Sequence, residues 1–296
     1  MSTNSNVSNE IDAIIARAME EYRNAKGEDA FAEVETPATA EPEAEEVDHL
    51  EIPVNSQSIL VSEETSRFSG ALWFDNIQSK QITLAGLGGI GSYVAFLLSR
   101  LHPDCLYLYD NDTVEAANMS GQLYSNNDIG VSKVNATMGL VESYSNYFNV
   151  VGYSELFTAT TGATKIMICG FDSMESRRIF FDRWRGFVST LPEEERKECL
   201  FIDGRLAAES FQVLCIKGDD LFNMNRYMKE FLFRDSEAEE TVCSYKQTSF
   251  MANMIASVMV NLFVNFCANE CNPIIPRDLP FFTEYSADTM FFKVVS

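Results

Sequence analysis

Histidine is almost missing from this chain: 296 residues hold only His49 and His102. Neither stands in a pattern that would support a catalytic triad. Basic residues are scarce as well, 22 Lys and Arg against 44 Asp and Glu, for a net charge of −22. The imbalance is concentrated at one end. Residues 1–66 carry 16 acidic side chains against Arg17, Arg23 and Lys26, a net of −13, which leaves −9 for the other 230 residues. There is no basic stripe of the kind a phosphate backbone requires, so nucleic acid is not an expected partner. Met1 to Asn9 lack the apolar segment of a secretory signal. The seven cysteines (Cys105, Cys169, Cys199, Cys215, Cys243, Cys267 and Cys271) are odd in number and irregular in spacing. Several sit in apolar, strand-like runs. They read as buried free thiols of a reducing cytoplasm rather than as a disulfide framework. The longest apolar stretch, Phe250 to Cys267, is broken by Asn253, Asn261 and Asn265. It reads as a buried core helix, and no membrane partner is expected.

What the chain does have is enough apolar material, 46% of its residues including 22 Phe, to fill the core of one large α/β domain. Composition divides it into an acidic tail over 1–64 and an ordered domain over 65–296. Within the tail, residues 9–25 place Ile11, Ile14, Ile15, Met19 and Tyr22 at helical spacing, which fits either a docking helix or a frayed end. Residues 26–58 are Pro-, Ala-, Thr- and Glu-rich with almost no aromatics, a composition predicted to be disordered. In the ordered part, strands are predicted over 82–85, 105–109, 165–169, 200–203 and 210–216. Helices are predicted over 90–101, 133–147, 174–187 and 248–267, and a Phe-rich hairpin over 281–295. Strand and helix alternate through the first half. That pattern predicts a Rossmann-like parallel sheet with helices on both faces, extended by antiparallel strands in the C-terminal half.

Between the first strand and first helix lies Gly86-Leu87-Gly88-Gly89-Ile90-Gly91. Glycines there let the backbone approach phosphates, and the following helix N-terminus supplies amide donors. The second strand ends at Asp110, at the distance where a dinucleotide fold binds ribose hydroxyls. These features suit NAD or FAD as well as ATP, so an oxidoreductase remains a possible reading of the glycine motif taken alone.

The next segment is more specific. Asp110-Asn111-Asp112-Thr113-Val114-Glu115, with Asn118 and Gln122, runs into Ile129-Gly130-Val131-Ser132-Lys133-Val134. This D-x-D-x-V-E-x-x-N-x-x-x-Q pattern followed by I-G-x-x-K-V resembles the ThiF/MoeB/HesA superfamily of ubiquitin-activating-enzyme-like adenylyltransferases. Weaker likeness continues through Gly170-Phe171-Asp172 with Arg177 and Arg178, through Asp203-Gly204-Arg205 and Gln212-Val213, and through Cys243 and the helix after it. The forms R-F-S-G-A-x-W-F and N-M-S-G-Q-L-Y resemble stand-alone members carried by phages and mobile elements.

The resemblance implies a reaction and a set of roles. ATP and Mg²⁺ are the implied cofactors, and the substrate is a carboxylate on a protein C-terminus or a small molecule. Adenylation would give an acyl-adenylate and release pyrophosphate. Gly86, Gly88 and Gly89 would cradle the triphosphate, and Asp110 would accept from the ribose. Asp112, Asn118, Gln122 and Lys133 would lie at the phosphates, Lys133 as a catalytic charge. Asp172 would hold Mg²⁺; its ordinary alternative is a helix N-cap. Cys243 would be a thioester or persulfide acceptor, its alternative an incidental loop thiol. The family pairs through its nucleotide domains, so a homodimer or heterodimer is expected. Two departures stand out. Arginine is usual where Gly70 and Gly121 stand, so Arg67, Arg177, Arg178 or Arg205 would have to substitute, or the chain is a weakened homologue serving as an interaction subunit. The family's zinc site needs a second cysteine pair that Cys267 and Cys271 lack, so no structural zinc is expected.

Overall fold

In Ile166-Met167-Ile168-Cys169 all four side chains are buried, Ile166 and Ile168 in one hydrophobic cluster and Met167 and Cys169 in another. Successive strand residues point to opposite faces, so such an unbroken apolar run marks a strand covered on both sides. The computed structural model describes residues 63–68, 70–233 and 248–295. The predicted helix over 9–25, the tail and Cys243 lie outside them.

A short helix α1 (Leu72–Ile77) leads to β1 (Gln81–Ala85), α2 (Gly89–Ser99) and β2 (Cys105–Tyr109). Then follow α3 (Lys133–Ser145), β3 (Val150–Tyr153), β4 (Ile166–Cys169), α4 (Met174–Thr190) and the single turn α5 (Glu193–Arg196). The chain continues through β5 (Leu200–Ala207), β6 (Ser210–Lys217), α6 (Leu221–Arg226), α7 (Ser249–Glu270), β7 (Phe282–Ser286) and β8 (Phe291–Val295). The eight strands form one sheet in the order β3-β2-β1-β4-β5-β6-β7-β8. The first five are parallel, and β6, β7 and β8 extend the sheet antiparallel. The fold is therefore the predicted Rossmann-like sheet with an antiparallel extension.

Helices α2, α3 and α7 cover the face that carries Ile82, Leu84, Leu106 and Ile202. The other face is aromatic: Phe180, Phe181 and Trp184 of α4 pack on Phe201, with Tyr227 beside them. Among the described residues α7 is the one helix long and apolar enough to cross a membrane. In this fold it is the core helix expected from its composition. Met251, Ile255, Met259 and Phe263, one turn apart, are buried against the sheet.

Two elements carry no readable signal. β3 is a four-residue strand at the sheet edge with Gly152 inside it, and its residues are half-buried or exposed. α6 is one and a half turns capped by Asp220, whose carboxylate accepts from the Asn223 amide at 2.9 Å, and it runs on into a π-helical turn, Tyr227–Phe231.

The strand order reverses between β1 and β4. Ligands of open α/β sheets bind in the crevice beyond the carboxyl ends of strands at such a point. Here the crevice is set by close backbone packing. Gly86 has φ of +83°, and a Cβ there would lie 2.6 Å from the Gly170 carbonyl carbon. A Cβ on Gly91 would stand 1.8 Å from the Gly86 oxygen. Gly91→Ala is therefore expected to force α2 off the loop and destabilise the protein by about 3 kcal/mol or more, in the range of severe overpacking. Thermal unfolding checks this, and a loss below about 1 kcal/mol would mean that the loop and helix can separate at little cost.

Candidate functional site

A cavity of about 640 Å³ opens over the carboxyl ends of β1 and β4 and continues along the β5–β6 hairpin to β7. That is within the size range of nucleotide and small-molecule pockets. Its first wall is the glycine loop: Gly86, Gly88, Gly89 and Ile90 all line it. The bare backbone at Gly88 is not explained by packing. A Cβ there would meet only Gln122 Nε2, at an ordinary contact distance of 3.9 Å, so no neighbour forbids one. No side chain caps the start of α2 at Gly88, which leaves the first amides of the helix to a ligand.

Asp110 closes the end of β2 and is almost fully buried. Its Oδ2 accepts from the Leu87 amide at 2.6 Å and its Oδ1 from the Asp112 amide at 2.8 Å. Burial pushes this carboxyl above its usual range, opposed by the two amides and by Lys133. Asp110 thus fastens the glycine loop to β2 as well as facing the cavity.

Lys133 opens α3, just after the N-cap Ser132, whose hydroxyl accepts from the Asn135 amide. It is not the exposed helix lysine that its position alone would allow: its side chain is only 9% exposed. Its Nζ sits 2.8 Å from Asp112 Oδ2, a carboxylate that is itself 59% exposed. A buried ammonium whose one ion-pair partner is free to turn into solvent is well placed to exchange that partner for a phosphate. Gln122 lines the same wall, and its Oε1 is buried without a hydrogen-bond partner among the described residues.

Across the cavity, β4 ends at Gly170-Phe171-Asp172. The N-cap of α4 is Ser173, which accepts from the Ser176 amide at 3.2 Å. The capping alternative for Asp172 is thereby corrected by one residue. Asp172 lines the cavity with an exposed carboxylate that has no ion-pair partner among the described residues.

The structure brings Gly86, Gly88, Gly89, Asp110, Asp112, Gln122, Lys133 and Asp172 to one cavity. It does not place Asn118 or Arg67 there. The Asn118 Oδ1 accepts from the Glu115 amide at 2.8 Å in a local capping box. Arg67 is exposed on the 3-10 turn Glu63–Phe68. Arg178 is spent on the Leu232 carbonyl at 2.6 Å.

Arg177 and Arg205, by contrast, both reach the cavity wall. Between them lies Asp203, fully buried. Arg177 Nη1 donates to Asp203 and, at 3.0 Å, to the Gly204 carbonyl, while its Nη2 donates to the Phe171 carbonyl. Arg205 Nε donates to Asp203 Oδ2 at 2.8 Å, and the Tyr227 hydroxyl donates to the same oxygen at 2.9 Å. Burial alone would raise the Asp203 carboxyl, but Arg177 and Arg205 outweigh it and hold it below its ordinary value. Burial, and after it the charge of the same carboxylate, pushes the Tyr227 hydroxyl well above the usual tyrosine range. Asp203 and Tyr227 were not singled out as site residues from the sequence. For Asp203 the signals are the weak family likeness through Asp203-Gly204-Arg205 and a carboxylate that follows the apolar run Leu200-Phe201-Ile202 within one strand, where an unpaired charge would be intolerable.

Ubiquitin-like modifier-activating enzyme 5 of Caenorhabditis elegans is 43% identical to this chain over 63 residues, which is 21% of this chain and 15% of that protein. The enzyme of the same name from Oryza sativa subsp. japonica is 32% identical over 89 residues, 30% of this chain and 21% of that one. The matches thus span only 15% and 21% of the length of these two curated relatives. Among solved structures, PaaA aligns with a TM-score of 0.62 over 83% of this chain and 77% of its own, at 15% identity. Escherichia coli MccB, crystallised with AMPCPP and MccA, aligns with a TM-score of 0.54 over 76% of this chain and 66% of its own, also at 15% identity. Likenesses at that identity concern the fold. The ThiF family as a whole matches residues 63–295, and the protein belongs to that family.

Proposed function

We propose that the cavity binds Mg·ATP and that the protein adenylates a carboxylate, on a ubiquitin-like protein C-terminus or a similar substrate. The observation that carries this reading is the grouping of a bare glycine loop, the buried Lys133 and the unpartnered Gln122 Oε1 around one cavity. The ThiF-fold protein MccB has been crystallised with ATP and with AMPCPP and MccA, which supports the nucleotide part of the reading. Gly88 and the first amides of α2 would meet the phosphates, and Asp110 the ribose. Among the described residues no three His, Cys, Asp or Glu side chains converge as a metal site. Asp172 would therefore share a magnesium ion with phosphate oxygens, as this hard cation prefers. When bound, the ion would supply charge neutralisation at the phosphates.

In the reaction a carboxylate oxygen bonds to the α-phosphorus and pyrophosphate leaves. Lys133 would meet the negative charge that grows there, and the Arg177–Asp203–Arg205 cluster, with one surplus positive charge, would face it from the opposite wall. Such fixed charges act strongest in a cavity that limits water. The arm of the cavity between the β5–β6 hairpin and Glu284 of β7 would receive the substrate. The domain over 65–296 would act within the cytoplasm as a homodimer or heterodimer, with the acidic segment 1–64 as its tail. Light scattering at micromolar concentration tests the pairing, and a monomer would contradict it.

A second reading is favoured by Gly70 and Gly121, where the family resemblance leads one to expect arginine: a nucleotide-binding subunit without adenylation. ATP–pyrophosphate exchange, measured across a panel of carboxylate substrates, separates the two. Exchange that depends on one carboxylate supports adenylation. Saturable ATP binding with no exchange from any of them supports the subunit.

A further inference from the structure

Two guanidiniums share one carboxylate in the cluster beside the cavity. Arg177 and Arg205 both pair with Asp203, so the cluster carries one surplus positive charge. Both terminal nitrogens of Arg177 are spent inward, on Asp203 and on the carbonyls of Gly204 and Phe171, and what it leaves without a partner among the described residues is Nε, next to its own stem. Arg205 differs in leaving a terminal nitrogen instead. It shares a strand face with Asp203 two residues away, as the β period requires. Its Nε is fixed by Asp203 and its guanidinium carbon stands 5.8 Å from the Tyr227 ring centre and 5.9 Å from that of Phe231. Its Nη2 is buried and has no hydrogen-bond partner among the described residues. The carboxylate that β7 adds to the cavity lining, Glu284, accepts from Gln212 Nε2 at 2.9 Å and makes no ion pair with it. A buried guanidinium N–H left without an acceptor is costly, and its retention in a cavity wall marks a place for an anion.

Resting on the nucleotide reading above, we infer that Arg205 is the oxyanion-binding residue of this cavity, taking over at β5 the charge that glycine at 70 and 121 cannot supply. Asp203 and Arg177 are its positioning residues: Asp203 fixes the guanidinium through Nε, Arg177 holds Asp203, and the side chain is thereby kept in the cavity wall. The oxyanion is either a phosphate of the nucleotide or the acyl oxygen of the substrate, both of which a guanidinium fork recognises.

The test compares wild type with Arg205→Met and Arg205→Lys by calorimetry, using three probes: Mg·ATP, AMP and glycyl-sulfamoyl-adenosine, a stable mimic of an acyl-adenylate. A phosphate contact predicts that Arg205→Met weakens Mg·ATP or AMP by about tenfold or more, with Arg205→Lys recovering part of the loss. An acyl contact predicts unchanged Mg·ATP and AMP affinity with a loss of about tenfold or more for the mimic alone. All three affinities within about twofold of wild type would overturn the inference. If the methionine variant does not fold, Arg205→Lys decides on the same readout, since it keeps the charge facing Asp203 and loses the second arm. Failure of wild type to bind any of the probes would instead defeat the nucleotide reading on which the inference rests.

Discussion

Asp203→Asn is expected to lower stability by about 3–5 kcal/mol, the usual consequence of removing one partner from a buried ion cluster. The substitution keeps the side-chain volume but leaves Arg177 and Arg205 facing each other without a counter-charge, with side chains only 5% and 12% exposed. For a domain of this size the melting temperature should fall on the order of 10 °C. The pH dependence has a definite sign. A carboxyl held below its ordinary value contributes stability that is complete above the unfolded value, about 3.9, and is lost as pH falls through the folded value. The deficit of the asparagine variant should therefore be constant at neutral pH and shrink only in strong acid. A deficit of less than about 1 kcal/mol would show that Asp203 is not the counter-ion the two arginines depend on.

Lys133→Ala is expected to do the reverse: little to stability, much to chemistry. Its ion pair with Asp112 is half open to water, since Asp112 is 59% exposed, so deleting it should cost about 1 kcal/mol or less. If Lys133 stabilises the charge that grows during adenylation, the rate of pyrophosphate exchange should fall by about 10²–10³, the scale seen when one such group is removed. Exchange assays with the wild type and the variant at saturating ATP read this directly. A fall of less than about tenfold would place the charge elsewhere, with Arg205 the first alternative.

The placement of the glycine loop and of the carboxylate at Asp110 was legible because it is local: a strand, a turn and a helix start lie within one short stretch of sequence. Lys133 was legible as a residue but not as a buried one. Its burial depends on Asp112 and on the bridge between Thr113 and Ser132, which folds the segment after β2 back on itself. The capping alternative for Asp172 fails by one residue, since Asp172 and Ser173 have equal capping chemistry and only the backbone decides between them. Asn118 fits the family pattern, yet its side chain closes its own turn. On sequence grounds Arg67 is the catalytic candidate, with Arg177, Arg178 and Arg205 as the other arginines that could substitute. What separates them is the pairing of β4 with β5, which brings α4 and the end of β5 to one carboxylate. Contacts of that range leave no periodic trace. The same holds for β3, a short edge strand that is ordered by pairing with β2 rather than by its own pattern.

The central claim is that this cavity is a nucleotide site, and Mg·ATP calorimetry on wild type beside the double variant Asp110→Ala with Lys133→Ala tests it most directly. The account predicts saturable binding by wild type that the double variant loses while remaining folded. No binding by wild type at concentrations up to millimolar would contradict it, leaving a ThiF fold that does not use its glycine loop.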